Sequence, residues 1–205
     1  MQNINVTAII LAGGKNLRLG RPKALEVIGG KTIIERVVER LKPVTNQMLI
    51  VTSSGKPDMP GTNGAEFLAD IYPGYGPLGG IYTGMMSSKN TLNIAVACDM
   101  PFLNTRLLKY MVEQAGDYDA VVPKLDGDMI EPLHAIYSKN CLQTFRERLE
   151  NRQLSIHSFI HSLRVRYIEK AESERFDPRL YSFFNVNYQA DLDKAIAIET
   201  GERDD

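Results

Sequence analysis

Residues Ile9–Leu25 read IILAGGKNLRLGRPKAL. An aliphatic run stops on Gly13-Gly14, and Lys15, Arg18, Arg21 and Lys23 then gather around Gly20. Glycines carry no Cβ, so their backbone N–H groups can approach phosphate oxygens closely. Arginine adds a bidentate fork and lysine a mobile point charge. Together they describe an anion site in which Arg18 and Lys23 neutralise a polyphosphate. Two acids lie near equivalent breaks in the pattern. Asp70 follows the apolar run Ala65–Ala69, and Asp99 follows Ile94–Ala97.

Two more familiar phosphate loops do not fit. The G-x-G-x-x-G fingerprint of dinucleotide-binding folds is missing from this stretch. Gly30-Lys31-Thr32 looks like the end of a P-loop, but the position that spacing reserves for glycine is Leu25. The plainer reading is a turn, with Thr32 near the N-cap of the next helix. No Ser-His-Asp or Cys-His set stands out for nucleophilic catalysis. His157 and His161 have a helical metal-site spacing but lack a third nearby ligand, so they read as surface or half-buried histidines.

The elements that position these residues follow from hydrophobic periodicity. Expected strands are Thr7–Ala12, Met48–Thr52, Ala65–Ala69, Ile94–Ala97, Ala120–Pro123, His134–Tyr137 and Val165–Ile168. Expected helices are Thr32–Lys42, Leu78–Ser87, Thr105–Ala115, Lys139–Asn151, Ile156–Leu163 and Gln189–Glu199. Strands alternating with helices predict an α/β fold with a mostly parallel sheet. In such sheets ligands sit beyond the carboxyl ends of the strands. Gly13-Gly14, Thr52-Ser53, Asp70 and Cys98-Asp99 would all converge there.

Composition narrows the class. The chain has 205 residues, 43% hydrophobic and 24% charged, which suits one globular domain over residues 1–200 with a frayed tail at 201–205. A formal net charge of -1 argues against nucleic-acid binding by bulk charge. Cys98 and Cys141 are too few for a disulfide scaffold or a zinc site. The N-terminal residues show no secretory pattern, and no apolar run reaches the ~18 residues of a membrane span. The expectation is a cytoplasmic protein.

Leu11–Leu25 resembles the signature of nucleotidyltransferases built on a Rossmann-like, three-layer α/β fold. Gly76-Pro77-Leu78-Gly79-Gly80, Ala97-Cys98-Asp99-Met100-Pro101-Phe102-Leu103, Pro132-Leu133-His134-Ala135-Ile136-Tyr137 and Phe184-Asn185-Val186-Asn187 follow in order. Their order and intervals are similar to the molybdenum cofactor guanylyltransferases, over most of the chain. That resemblance implies an enzyme that binds GTP and Mg2+, attaches GMP to the phosphate of molybdopterin and releases pyrophosphate. Molybdoenzyme-assembly proteins would be possible partners. It implies that Leu11, Ala12, Gly13 and Gly14 hold the nucleotide, that Lys23 contacts its phosphates and that Asp70 is a nucleotide-contacting acid. Pro77, Leu78 and Gly79 would lie on the base side, and Asn185 and Asn187 near the pterin. Asp99 would be the metal-binding acid, with Lys23 and Arg18 as its catalytic companions. One departure is visible: the family's first loop often has one more position before the lysine, whereas here Pro22 directly precedes Lys23.

Each assignment has a plain structural alternative. Asp99 could cap the following helix, and Asp70 could be a turn residue. The glycines of Gly76–Gly80 could serve close packing, and Asn185 and Asn187 could alternate onto a solvated strand face. Functional alternatives also stand: a cytidylyltransferase of the same cofactor, another small-molecule nucleotidyltransferase, or a non-catalytic nucleotide-binding protein.

Overall fold

The computed structural model describes residues 5–13, 22–53 and 59–201. Strand β1 (Val6–Leu11) is buried except at its last residue, as a strand covered on both faces must be. Gly29 and Gly30, at φ +57° and +81°, turn a two-residue hairpin between β2 (Val27–Ile28) and β3 (Lys31–Thr32). Both residues need positive φ there, which glycine adopts without strain. Gly30-Lys31-Thr32 is therefore a hairpin arm, and Thr32 caps α1 (Ile33–Leu41). The Glu35 amide donates to Thr32 Oγ1 at 3.2 Å while the Thr32 amide donates to Glu35 Oε2 at 2.6 Å, a reciprocal capping box.

The remaining strands are β4 (Gln47–Thr52), β5 (Glu66–Ala69), β6 (Leu92–Ala97), β7 (Ala120–Pro123), β8 (His134–Ser138) and β9 (Val165–Ile168). The helices are α2 (Gly76–Ser87), α3 (Thr105–Glu113), α4 (Leu142–Glu150), α5 (Ile156–Ile160), α6 (Lys170–Glu174) and α7 (Gln189–Thr200). The strands fall where periodicity predicts them, with ends moved by a residue or two. The β2–β3 hairpin and α6 are additions too short to produce a periodic signal.

The sheet runs β5-β4-β1-β6-β8-β7-β9. Only β8 is antiparallel to its neighbours, so the sheet is mostly parallel. One face packs Ile34, Val37 and Val38 of α1, Leu107, Leu108 and Met111 of α3, and Leu192 and Ala195 of α7. The other packs Leu78, Ile81 and Met85 of α2, Phe145 and Leu149 of α4, and Phe159 and Ile160 of α5. The result is three layers. The chain steps outward from β1 through β4 to β5 and then crosses to β6 on the other side of β1. Strand order thus reverses at β1 and β6, and the crevice at such a switch point, beyond the carboxyl ends of the strands, is where open α/β sheets bind their ligands.

Candidate active site

The crevice is assembled by backbone ties at the strand ends. The Ala12 amide donates to Val51 O at 2.9 Å, and the Cys98 amide donates to Leu11 O at 3.1 Å. Gly13 lies exposed just beyond, and a Cβ built on it would come no closer than 3.6 Å to its nearest described neighbour, the Ser53 amide nitrogen. The described neighbours therefore do not themselves require glycine at this position. Gly14, Arg18 and the other basic residues of the opening loop up to Arg21 lie outside the described residues.

Lys23 opens a short 3-10 turn (Lys23–Leu25) after Pro22. Its ammonium donates to Asn187 Oδ1 at 2.6 Å and sits 3.6 Å from Asp99 Oδ2. The lysine and aspartate side chains are only 13% and 17% exposed, so this is a largely desolvated pair. Asp99 lies two residues beyond the end of β6, and its carbonyl accepts from the Val186 amide at 2.9 Å. Asp99 Oδ1 is buried without a hydrogen-bond partner. Burial pushes the Asp99 carboxyl up from its usual range, opposed by Lys23. The helix that follows is capped instead by Asn104, whose side chain accepts from the Arg106 and Leu107 amides. Asp99 is thus free of the capping role.

Asn185 and Asn187 lie in the segment between a 3-10 turn (Tyr181–Phe183) and α7, outside any strand. Asn187 faces Lys23, while Asn185 Nδ2 donates to Phe183 O at 3.2 Å. Asp70 stands apart from the Lys23 cluster in its bonding. Its Oδ1 accepts from the Tyr72 amide and from Thr83 Oγ1, each at 2.9 Å, which fixes the turn into α2. Pro77 is in the first turn of α2, and the Leu78 side chain is wholly buried, so only its backbone could meet a ligand. A Cβ on Gly79 would lie 2.9 Å from Tyr72 O, and one on Gly80 2.9 Å from Leu11 Cδ2. Close packing accounts for both glycines.

Other reactive side chains are silenced by burial. It raises the Cys98 thiol to about 12 and lowers the His134 imidazole to about 4. His157 and His161 are exposed, and no three His, Cys, Asp or Glu side chains among the described residues could hold a metal together. Periodicity and motif spacing did not mark Glu131, a half-buried acid whose Oε1 accepts from the Leu133 amide at 3.3 Å; it follows a hairpin turn and belongs to no strand.

Residues 8–167 match the MobA-like NTP transferase domain. The chain belongs to the MobA-like NTP transferase family. A molybdenum cofactor guanylyltransferase of Desulfosudis oleivorans is 38% identical over 199 residues, 96% of this chain and 97% of that one. A probable molybdenum cofactor guanylyltransferase of Peptoclostridium acidaminophilum is 34% identical, over 93% of this chain and 88% of its own length. The crystal structure of molybdopterin-guanine dinucleotide biosynthesis protein A from Archaeoglobus fulgidus superposes with a TM-score of 0.80 at 29% identity, covering 96% of this chain and 99% of that one. The chain is therefore a nucleotidyltransferase, and its crevice at β1 and β6 is the place to look for the chemistry of that family. Its donor set suits a hard divalent cation. The orphaned Asp99 Oδ1 and the nearby Asn187 Oδ1 are both oxygens, and phosphate and water would complete the shell.

Proposed function

We propose that this nucleotidyltransferase transfers GMP from GTP to the phosphate of molybdopterin, with Mg2+, to form the molybdopterin guanine dinucleotide cofactor. The observation that carries the reading is the desolvated Lys23–Asp99 pair, with Asn187 alongside, at the mouth of the crevice. The names of the relatives supply the guanine and the acceptor.

In the proposed reaction an oxygen of the acceptor phosphate attacks the α-phosphorus of GTP. A new P–O bond forms as the bond to the bridging oxygen breaks, and pyrophosphate leaves with the electron pair. The attacking group is already anionic, so no side chain need remove a proton. Positioning and charge neutralisation then carry the rate. Leu11, Ala12, Gly13 and Gly14 would hold the nucleotide, the two glycines by their backbone N–H groups, with Lys23 and Arg18 neutralising its phosphates. Asp70 and the backbone of Pro77, Leu78 and Gly79 would border the base. Asn185 and Asn187 would face the pterin. Asp99 would hold Mg2+ through its carboxylate; when bound, the ion withdraws charge from the phosphate oxygens. Asn187 orients the Lys23 ammonium before substrate arrives, which lowers the cost of ordering that long side chain. The dinucleotide product would pass to molybdoenzyme-assembly proteins.

The test is ligand protection followed by product analysis. A ligand that binds only the native state raises the melting temperature by mass action. GTP with Mg2+ should raise it clearly more than CTP or ATP, and pyrophosphate should appear only when molybdopterin is added. Stronger protection by CTP would assign a cytidylyl donor instead. Pyrophosphate release that ignores molybdopterin would remove the acceptor.

A further inference from the structure

Asn187 holds the Lys23 ammonium, yet it lies between the 3-10 turn (Tyr181–Phe183) and α7, outside any helix or strand. Backbone in such a segment stays in one place only if its polar groups find explicit partners. Upstream, the Val186 amide donates to Asp99 O at 2.9 Å. Downstream, the tie is a side chain. Asp191, in the first turn of α7, accepts on Oδ2 from the Asn187 amide and from the Tyr188 amide, each at 2.8 Å.

The second of these bonds is the reciprocal half of a capping box, which α7 needs whatever the site does. The first goes beyond capping. In α1 the equivalent acid, Glu35, accepts on Oε2 from the amide and hydroxyl of the cap residue Thr32. In α7 Asp191 reaches one residue further back, to Asn187. Two successive amides converging on one carboxylate oxygen fix the turn of the peptide unit between them, and both bonds are charge-assisted. From there the Asn187 side chain runs to Lys23, with Oδ1 accepting from Nζ at 2.6 Å, and Nζ sits 3.6 Å from Asp99 Oδ2. The contacts thus form a chain from Asp191 through Asn187 and Lys23 to Asp99. Lysine has a flexible four-carbon stem whose ordering costs rotamer entropy. The oxygen that holds it must therefore be held itself.

We propose that Asp191 is a positioning residue for nucleotidyl transfer: through the Asn187 amide it sets the side-chain oxygen that keeps the Lys23 ammonium beside Asp99. The inference rests on the role given to Lys23 above. Asp191 would touch neither substrate. A misplacement of about 1 Å far from the reacting atoms can cost roughly 10²-fold in rate. Asp191→Ala should cost roughly tenfold, because Lys23 itself remains.

The test is a double-mutant cycle on the full chain, comparing wild type, Asp191→Ala, Asn187→Ala and the double variant at a temperature where all four are folded. One readout needs no substrate: the rate at which N-hydroxysuccinimidyl acetate labels Lys23, followed by peptide mass spectrometry against the exposed Lys109. The other is pyrophosphate release from GTP with molybdopterin. Asp191→Ala and Asn187→Ala should each label Lys23 severalfold faster than wild type, and the double variant no faster than Asn187→Ala. Turnover should follow the same pattern, because an effect carried by Asn187 vanishes once Asn187 is gone. A merely structural role predicts instead that Asp191→Ala adds its loss in both backgrounds, and that result overturns the inference. Wild-type labelling in Asp191→Ala overturns it too, as does faster labelling with unchanged turnover. If wild type itself does not turn over GTP, the proposed function fails, and labelling alone decides whether Asp191 holds Lys23 through Asn187. If Asp191→Ala does not fold, Asp191→Asn replaces it as a same-shape, uncharged acceptor. Its effects should be smaller and again absent in the Asn187→Ala background; equal effects in both backgrounds, or none in either, overturn the inference.

Discussion

At the scale of single residues, the site turns on who partners Lys23. The ammonium lies between Asn187, an amide 164 positions away in sequence, and Asp99. Both Lys23 and Asp99 were legible as chemistry, because a lysine closing a glycine-basic loop and an acid after an apolar strand are unusual types at strand ends. That Asn187 meets Lys23 was not legible, since no local pattern reports a contact made across the whole chain. Lys23→Ala should reduce turnover roughly 10²- to 10³-fold, the scale for removing one preorganised electrostatic contact in a transition state. Mn2+ binding should hold or tighten, because the lysine opposes a cation beside Asp99. A variant with near-normal product formation would show that Lys23 does not act on the phosphates. Parallel loss of Mn2+ binding would show that it merely props up Asp99.

At the scale of elements, three glycines of α2 serve close packing against β1 and the turn before the helix. Helix α2 contains Gly79, Gly80 and Gly84, and each presents its missing side chain to a neighbour. At Gly84 an added Cβ would fall 2.4 Å from Ile9 Cγ2 and 2.8 Å from Ile9 Cγ1. Ile9 is wholly buried in the centre of β1, so it has little room to move. Helix propensity favours alanine over glycine by about 1 kcal/mol, whereas overpacking a core costs about 1–3 kcal/mol. Packing should win, and Gly84→Ala should lower stability by about 1 kcal/mol in urea melts. The cause is separable. Ile9→Ala should cost less in the Gly84→Ala background than in wild type, because it opens the space that the new methyl needs. Additive losses would show that Ile9 is not the obstacle. The same element shows where sequence reading stops. Periodicity located α2 and its strand, but helix period alone could not tell a glycine that contacts a nucleotide from one that admits a strand.

At the scale of the whole molecule, the alternation of strands and helices was enough to predict an α/β fold with a mostly parallel sheet. Strand order was not readable, because crossing from β5 to β6 is decided by which faces bury best against each other. Nor was the join between the chain's early and late segments. Arg36 of α1 makes that join. Its Nε and Nη2 donate to Ile28 O at 2.9 and 2.7 Å, and Nη1 and Nη2 reach the Glu199 carboxylate at 2.9 and 2.6 Å. The guanidinium therefore fastens the β2–β3 hairpin and α1 to the last turn of α7, and it is nearly buried. Its hydrogen bond holds the Glu199 carboxyl below the usual range. That contribution to stability is present above the ordinary carboxylate pKa and is lost as pH falls through the lowered one. A lysine at position 36 keeps the charge but cannot span carbonyl and carboxylate with a planar fork. Arg36→Lys should cost about 2 kcal/mol, the scale of a lost charge-assisted hydrogen bond. Glu199 is more than one-third exposed, which keeps the loss from being larger. The start of α7 is held separately, by Asp191 accepting from the Asn187 and Tyr188 amides at 2.8 Å each. Asn187 should therefore stay in place when the far end of α7 loosens. The expected outcome is a lower urea midpoint with unchanged kcat and KM for GTP well below the melting temperature. Reduced turnover in a fully folded Arg36→Lys protein would mean that the clamp reaches the crevice through α7, and that Asp191 alone does not hold Asn187 against Lys23.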